Sequence, residues 1–273
     1  MTLVQAIVLG IIQGISEFLP ISSSGHLILV PYLFGWDLQD LSFDVALHLG
    51  TAFAVLFFFK DIWYKLIHSM ILDGLSVIKT KSLDVRKLRR ETIYLSTILI
   101  VTIPVAIVGM LLESTIEETF RSPIYVAIML ILISFVMYIA DLRSKSNSKD
   151  NPTFVDSLII SISQIVALFP GSSRSGVSIS SGLFRGLTRE KAAEYSFLLA
   201  TPIIVGAGLL KLPDLISSST ASQLGYVFVG FLTSFITGLL SIKFLLKFLK
   251  TKGLNVFIVY RITLGIIILV MVR

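Results

Sequence analysis

Two polar stretches interrupt an otherwise apolar chain, and they carry the residue types that could do chemistry. The first is QGISEFLPISSSGH, residues 13–26, and the second is QIVALFPGSSRSG, residues 164–176. The first contains a carboxylate and an imidazole, Glu17 and His26, and the second contains the guanidinium of Arg174. An acid, a histidine, hydroxyls and an arginine together suit phosphoryl transfer.

The carboxylate of Glu17 lies four residues after Gln13, so on a helix the two side chains share a face. An acid inside a membrane segment is a functional-site candidate by default, because an isolated charge in hydrocarbon is costly. The alternative interpretation is an acid that reaches the membrane surface from a helix end. With Gln13, Glu17 could hold a divalent cation against phosphates.

The hydroxyls before His26 offer a nucleophile. Ser23 and His26 are three residues apart, so on one helical face they could form a hydrogen bond, with Ser23 attacking and His26 assisting. Whether a serine, His26 or water is the nucleophile stays open. Of the other histidines, His48 falls in an apolar segment and either faces the site or is structural, whereas His68 falls in a basic segment and is interpreted as structural.

The second stretch has the features of an anion site. Successive N–H groups of a Gly/Ser turn before a helix can surround an anion, and the fork of Arg174 suits phosphate. The alternative is an arginine that pairs with Glu17 only to hold two segments together. The stretch is not a Walker A loop, because the Gly-Lys-Ser/Thr ending is missing.

Composition sets the fold class. The chain has 273 residues, 55 % hydrophobic and 15 % charged, with a mean hydropathy of +0.90, which predicts an all-α polytopic membrane protein with a single membrane domain, 1–273. The net charge of +6 fits basic loops beside membrane spans better than nucleic-acid binding. Cysteine is absent, so disulfides are excluded.

Six apolar runs are long enough to cross a bilayer. They lie near residues 43–60, 92–112, 123–142, 192–212, 223–246 and 254–272. Residues 2–34 and 153–185 remain, and each has a Pro/Gly/Ser break in its middle. Because each half is too short to span, we predict two re-entrant helical hairpins.

Charge orients these segments. Basic residues concentrate in four predicted loops between spans, the basic segments 60–90, 143–149, 185–191 and 243–252. Acidic residues concentrate between the other spans, at Asp37, Asp40, Asp44, Glu113, Glu117 and Glu118. All four basic segments share one side only if the hairpins are re-entrant, and the positive-inside rule makes that side cytoplasmic.

The two halves then form an inverted repeat. Repeat one, 1–142, and repeat two, 153–273, each consist of a hairpin and three spans, so the second is upside down relative to the first. Pro20 and Pro170 are 150 positions apart, and the two tips are expected to meet near the membrane midplane. Because inverted repeats with broken helices are typical of transporters, a transporter or flippase for a phosphorylated lipid or anion is the alternative function.

At these motifs the chain resembles the undecaprenyl-diphosphate phosphatase family, also called the bacitracin-resistance family. The family signature of Glu or Gln, three residues, then Glu is similar to Gln13 to Glu17, continued by FLPISSSGH to His26. The second signature, PGxSRSG with a later Thr or Ser, is similar to residues 170–176 with Ser178. Another membrane lipid-phosphatase superfamily requires a histidine six residues after the arginine, where this chain has Ser180, and is therefore rejected.

The resemblance implies an inverted, interdigitated fold and hydrolysis of undecaprenyl diphosphate to undecaprenyl phosphate and inorganic phosphate. This reaction recycles the lipid carrier of cell-wall synthesis, confers bacitracin resistance and uses a divalent cation, Mg²⁺ or Ca²⁺. The implied catalytic residues are Glu17, Ser23, His26, Ser173 and Arg174. The implied substrate-binding residues are Gln13, Ser22, Gly171, Ser172, Ser175, Gly176 and Ser178. The implied metal ligands are Glu17 and Gln13, the latter a weaker ligand than the Glu that other members have.

The resemblance also implies partners and a location. The expected partners are the lipid substrate and membrane lipids, without nucleic acid, and a homodimer is left open. The expected location is the bacterial plasma membrane, with the active site opening to the outer, periplasmic or extracellular, side.

Overall fold

The structure is a computed structural model and describes residues 1–146, 148–218 and 220–272. The side chains of residues 41, 42, 113, 114, 117, 118, 212, 214–218, 221 and 222 lie outside that description. Over those ranges the fold is all-helical, as predicted. The α-helices are α1 Leu3–Ser16, α2 Ser23–Phe34, α3 Leu41–Phe58, α4 Lys60–Thr80, α5 Arg90–Phe120, α6 Pro123–Arg143, α7 Phe154–Ser163, α8 Arg174–Phe184, α9 Arg189–Ser218, α10 Ala221–Leu249 and α11 Asn255–Met271.

The first polar stretch breaks a helix at the predicted place. Thr2 begins α1 with a capping box, in which its side chain accepts from the N–H of Gln5 and the Gln5 side chain accepts in return. Helix α1 ends at Ser16, and α2 begins only after Ser22, which caps it at φ 78°. The intervening turn carries Glu17.

The second polar stretch has the same organisation. A capping box of Thr153 and Asp156 begins α7, a 3₁₀ turn follows over Gln164–Leu168, and α8 begins at Arg174. The two ends of this segment lie side by side. The N–H of Lys149 donates to the Gly186 carbonyl at 3.1 Å, and the N–H of Thr188 donates to the Lys149 carbonyl at 3.1 Å.

Four helical segments are individually long and apolar enough to cross a membrane, judged over the described residues. They are Arg90–Leu112, Pro123–Ser146, Arg189–Lys211 and Gln223–Leu249, and a fifth span arises if α3 and α4, bent by 80°, count as one. The sixth predicted span corresponds to α11, which is apolar but has 17 residues. The acidic residues expected in a loop at 113–118 lie within α5, and the side chains of Glu113, Glu117 and Glu118 lie outside the description.

The segment 60–90 was expected to be a loop, and this is wrong for its first two thirds, which form α4. Its buried residues Trp63, Leu66, Ser69 and Asp73 recur at helical spacing. The lysines of this helix, Lys60, Lys65 and Lys79, are exposed and lie off the buried face. The Asp73 carboxylate pairs with Arg89 and so ties the end of the segment to this helix.

Close helix packing connects the two halves of the chain. Helix α10 packs against both α1 and α3, and α5 packs against both α7 and α9. A Cβ at Gly10 would lie 2.7 Å from the Gly230 carbonyl, and one at Gly14 would lie 2.7 Å from the Ser234 carbonyl. Glycine therefore lets the α1 and α10 backbones approach, as small residues do between membrane helices. The first broken segment thus packs on a helix of the second half, and the second on a helix of the first.

Candidate active site

Glu17 is the centre of a buried polar cluster that joins the two broken segments. Its side chain is almost fully buried, at 6 % exposure. Its Oε2 accepts from Ser23 Oγ at 2.6 Å and from Gln13 Nε2 at 3.0 Å. Its Oε1 forms an ion pair with Nη2 of Arg174. Four residues that the motifs predicted, three from the first stretch and one from the second, therefore meet at one carboxylate.

A cavity of about 240 Å³ opens beside this cluster. Its polar wall is formed by Glu17, Ser23, Ser24, His48, Gln164, Ser173 and Arg174, and its apolar wall by Val45, Val105, Ala167, Leu168, Ile203, Ile204 and Ala207. Most of the wall is apolar, and the charged groups converge on one part of it. Such a site can accept the polar head of an amphiphile while apolar walls face the remainder.

The two helices that start at the tips have the same N-terminal geometry. Ser22 caps α2 with φ 78° and ψ 98°, and Ser173 caps α8 with φ 74° and ψ 108°. Each serine Oγ accepts from the N–H three residues later, that of Gly25 at 3.2 Å and that of Gly176 at 3.1 Å. The structural register between the two tips is therefore 151 positions, one more than the spacing of the prolines and of Ser22 and Ser172 in the sequence.

This register makes Ser23 and Arg174 counterparts. Each is the first residue of its helix. The N-cap geometry directs both side chains to Glu17, one to each oxygen of the carboxylate. A hydroxyl, which could attack as a nucleophile, and a guanidinium, which could bind phosphate, thus flank one carboxylate.

Comparison with known sequences identifies the family. The family model described as bacitracin resistance protein BacA matches residues 6–267. The chain belongs to the BacA family. Relatives named undecaprenyl-diphosphatase occur in Pelotomaculum thermopropionicum (43 % identical over 273 residues, 99 % of this chain and 97 % of the relative) and Elusimicrobium minutum (43 % over 272 residues, 99 % and 98 %). A third, in Moorella thermoacetica, is 43 % identical over 270 residues, 98 % of this chain and 97 % of the relative.

His26, which the BacA-type motif includes, is turned away from Glu17. Its Nδ1 is 2.7 Å from the Ser22 carbonyl oxygen and its Nε2 is 2.6 Å from the Tyr260 hydroxyl. Its ring also stacks on that of Tyr260 with centroids 5.7 Å apart, and it is not among the residues that line the cavity. The expected Ser23–His26 hydrogen bond is absent, because Ser23 Oγ bonds to Glu17 instead. The catalytic role of His26 stays a prediction.

A second histidine lies where His26 was expected. His48 of α3 lines the cavity, with Nε2 3.6 Å from Glu17 Oε2. Its Nδ1 is 2.7 Å from the Asp44 carbonyl oxygen, so in the neutral ring Nδ1 carries the proton and Nε2 faces the carboxylate. The sequence left His48 open, since a histidine in an apolar helix carries no signal of the direction in which it points.

Arg261 of α11 is a further residue that the sequence reasoning missed. It is fully buried, at 0 % exposure. Its guanidinium donates to the carbonyls of Pro20 at 3.3 Å, Gly171 at 3.0 Å and Ser172 at 3.1 Å, and so binds both tips. It also donates to Ser134 Oγ at 3.1 Å. An ionisable residue in the apolar run 254–272 was the available signal.

The remaining predicted substrate-binding residues build the second tip rather than line the cavity. Ser172 Oγ donates to the Phe169 carbonyl at 2.5 Å, and Ser175 Oγ donates to the Leu19 carbonyl of the first tip at 3.3 Å. Ser178 Oγ donates to the Arg174 carbonyl at 2.6 Å and lies 2.6 Å from Ser196 Oγ. Their direct contact with a substrate stays a prediction.

The oxygen atoms available for a cation are few. Among the described residues no group of three or more His, Asp or Glu side chains could hold a metal. Gln13 Oε1 is buried without a hydrogen-bond partner beside the Glu17 carboxylate. One carboxylate and one amide oxygen fit Mg²⁺, which usually takes one or two protein carboxylates and completes its shell with phosphates and water.

Proposed function

We propose that this chain hydrolyses undecaprenyl diphosphate to undecaprenyl phosphate and inorganic phosphate. The observation that carries the proposal is the placement of Ser23 Oγ and the Arg174 guanidinium on the two oxygens of one buried carboxylate, at the wall of a cavity. The substrate follows from the membership in the BacA family and from the printed names of the relatives. The family model is described as a bacitracin resistance protein, so we associate the activity of this chain with bacitracin resistance.

In this proposal each residue of the cluster has a chemical role that its contacts support. Glu17 accepts the Ser23 hydroxyl proton as Oγ attacks the terminal phosphorus. The bond from that phosphorus to the bridging oxygen breaks, and undecaprenyl phosphate leaves. Water then attacks the phosphorus of the phosphoserine, and the bond from that phosphorus to Oγ breaks. Glu17 returns its proton to Ser23 Oγ, and inorganic phosphate leaves with the two protons of the water. Arg174 has five N–H donors, so those that Glu17 does not use can bind the non-bridging oxygens.

Glu17 and Gln13 are the residues that would hold a divalent cation, Mg²⁺ or Ca²⁺, together with the phosphates of the substrate. When bound, such an ion neutralises phosphate charge as a Lewis acid. Gln13 also acts without it, because its Nε2 donates to Glu17 Oε2 and holds the carboxylate toward Ser23.

An inverted repeat of six spans and two re-entrant hairpins is the architecture proposed for the membrane. It is supported by the similar N-cap geometry of Ser22 and Ser173. It is also supported by the packing between the halves, since α1 of the first half contacts α10 of the second and α7 of the second contacts α5 of the first. The backbone hydrogen bonds between Lys149 and residues 186–188 support a second hairpin that returns to its own side.

A location in the plasma membrane, with the cavity open to the outer side, completes the proposal. Part of the apolar wall of the cavity comes from α3, α5 and α9, at Val45, Val105 and Ala207. Val45 lies near the end of α3 that borders Asp37, Asp40 and Asp44, an acidic segment that the positive-inside rule places outside. Homodimerisation stays a prediction.

The decisive experiment is phosphate release from undecaprenyl diphosphate by the purified chain in detergent, with Ser23→Ala as the test variant. Wild type should release phosphate and Ser23→Ala should not, whereas Ser163→Ala, a nearby serine outside the cavity, should match wild type. Movement of the lipid across proteoliposomes without phosphate release would support the transporter alternative instead.

The re-entrant arrangement has its own test, because the chain contains no cysteine. Single cysteines at Asn151 and Lys252, both exposed, flank the second hairpin and two spans. Both should react with a membrane-impermeant thiol reagent only from the cytoplasmic side, and a cysteine at Asp37 should react from outside. Labelling of position 252 from outside would overturn the re-entrant hairpin.

A further inference from the structure

Gln164 lies in the wall of the cavity with its amide unpaired. Its side chain is 2 % exposed, and neither Oε1 nor Nε2 has a hydrogen-bond partner. The amide offers two donor protons and one acceptor oxygen. Leaving such groups buried and unpaired is costly, and folded proteins contain few of them. An unpaired amide in the wall of the cavity that Glu17 also lines therefore indicates a partner that binds there.

The register between the two tips explains why the protein itself supplies no partner. Gln164 lies 151 positions after Gln13, the same separation as that between Ser22 and Ser173. Gln13 donates to the residue four positions later, Glu17. The residue four positions after Gln164 is Leu168, which has no acceptor. The second tip thus keeps the amide and lacks the carboxylate that satisfies its counterpart.

The surrounding residues indicate the chemistry of the missing partner. Leu168, Ser173 and Arg174 share the cavity wall with Gln164. Arg174 places a guanidinium in the same wall as Gln164, and a guanidinium favours an anion with several acceptor oxygens. A phosphate oxygen provides a strong acceptor for a buried N–H donor, because the bond is charge-assisted.

We infer that Gln164 is a further substrate-binding residue, whose Nε2 donates to a phosphate oxygen of the diphosphate bound by Arg174. The inference rests on the proposed function and extends the phosphate site beyond the second motif. The two equivalent glutamines then have different roles: Gln13 orients the Glu17 carboxylate, and Gln164 orients the substrate.

The test uses Gln164→Met, which keeps the shape and removes the hydrogen bonds, and Gln164→Glu, which removes the donor and adds a negative charge. Binding of inorganic phosphate is followed by the rise in melting temperature that it causes, and turnover is measured with undecaprenyl diphosphate. Loss of a hydrogen bond to a charged group should raise KM of Gln164→Met by roughly 10- to 100-fold and remove most of the phosphate-induced shift. Gln164→Glu should bind phosphate more weakly still, and Ser163→Ala should match wild type.

The melting temperature without phosphate separates binding from a structural role. If the amide serves the substrate, Gln164→Met should melt at or above the wild-type temperature, because a buried unpaired group is removed. Wild-type KM and a wild-type phosphate shift in Gln164→Met, or wild-type phosphate affinity in Gln164→Glu, would overturn the inference. A wild-type chain that releases no phosphate would overturn the proposed function instead.

Discussion

The two broken tips have nearly the same backbone and opposite chemistry. Both helices begin after a serine with positive φ, and both serines accept from a glycine N–H three residues later. At the first helical position, however, one tip has Ser23 and the other has Arg174. Four residues after the shared glutamine, one has Glu17 and the other has Leu168. The repeated backbone thus provides a frame, and two side-chain differences turn it into an asymmetric site.

The largest loss of activity is expected from substitution of Glu17, which has no acidic counterpart in the second tip. Glu17→Gln retains the size and a hydrogen-bonding group but cannot accept the Ser23 proton. We expect kcat to fall by about 100- to 10,000-fold, the usual range for a general base, with protein that still folds. Phosphate release by purified protein and the melting temperature are the measurements.

Asp73→Asn, at a carboxylate that pairs with Arg89 far from the cavity, is the control and should retain turnover. If the folded fraction of Glu17→Gln works at the wild-type rate, the acid only holds the tips together through Arg174.

Arg174→Lys tests the other side of the comparison. A lysine keeps the charge, but its ammonium lacks the fixed fork of N–H donors with which a guanidinium can bind Glu17 and a phosphate at the same time. Removal of one stabilising donor costs roughly 100- to 1,000-fold in rate, and we expect a loss in this range in kcat/KM. Arg185→Lys is the matched control, since Arg185 pairs with Asp156 outside the cavity. Near-normal turnover of Arg174→Lys would contradict the phosphate role.

Arg261→Lys tests whether the tips must be held together. The guanidinium reaches Pro20 on one tip and Gly171 and Ser172 on the other, and a single ammonium cannot reach all three. Because small displacements of reacting groups are costly in rate, we expect roughly a 10- to 100-fold loss in kcat and a lower melting temperature. Arg143→Lys, at an arginine whose guanidinium lies over the ring of Phe184 and, over the described residues, contacts neither tip, should be close to wild type. Equal activity of the two variants would show that the tips keep their geometry without Arg261.

The smallest effects are expected at the shared N-caps. Replacement of an N-cap serine by alanine usually costs about 1 kcal/mol, and Ser22→Ala also keeps a side chain at a strained positive φ. Ser22→Gly loses the cap but relieves the strain, so its melting temperature should be close to wild type. At Ser173, likewise, the glycine variant should have a higher melting temperature than the alanine variant. If glycine were the more stable replacement at one serine and alanine at the other, the two N-caps would not be structurally equivalent.

The motifs could be predicted because their signals are local. Polar residues with Pro, Gly and Ser in an apolar chain predicted both helix breaks, and the spacing of Gln13 and Glu17 predicted their shared face, which the hydrogen bond confirms. The prediction of a loop at 60–90 was wrong because it rested on the many charges of that segment and ignored the helical spacing of Trp63, Leu66 and Asp73.

The sequence by itself determined the membrane class, the helical content, the two breaks and the candidates Glu17 and Arg174, since hydropathy and backbone-breaking residues act over a few positions. Only the tertiary structure decided that the register of the tips is 151, that His26 turns to Tyr260 while His48 approaches Glu17, and that Arg261 binds both tips. The direction of a side chain at a broken helix depends on the dihedral angles of its cap and on helices packed from the other half of the chain. Two of these interactions, Pro20 with Arg261 and Glu17 with Arg174, join residues more than 100 positions apart, and no local pattern records them.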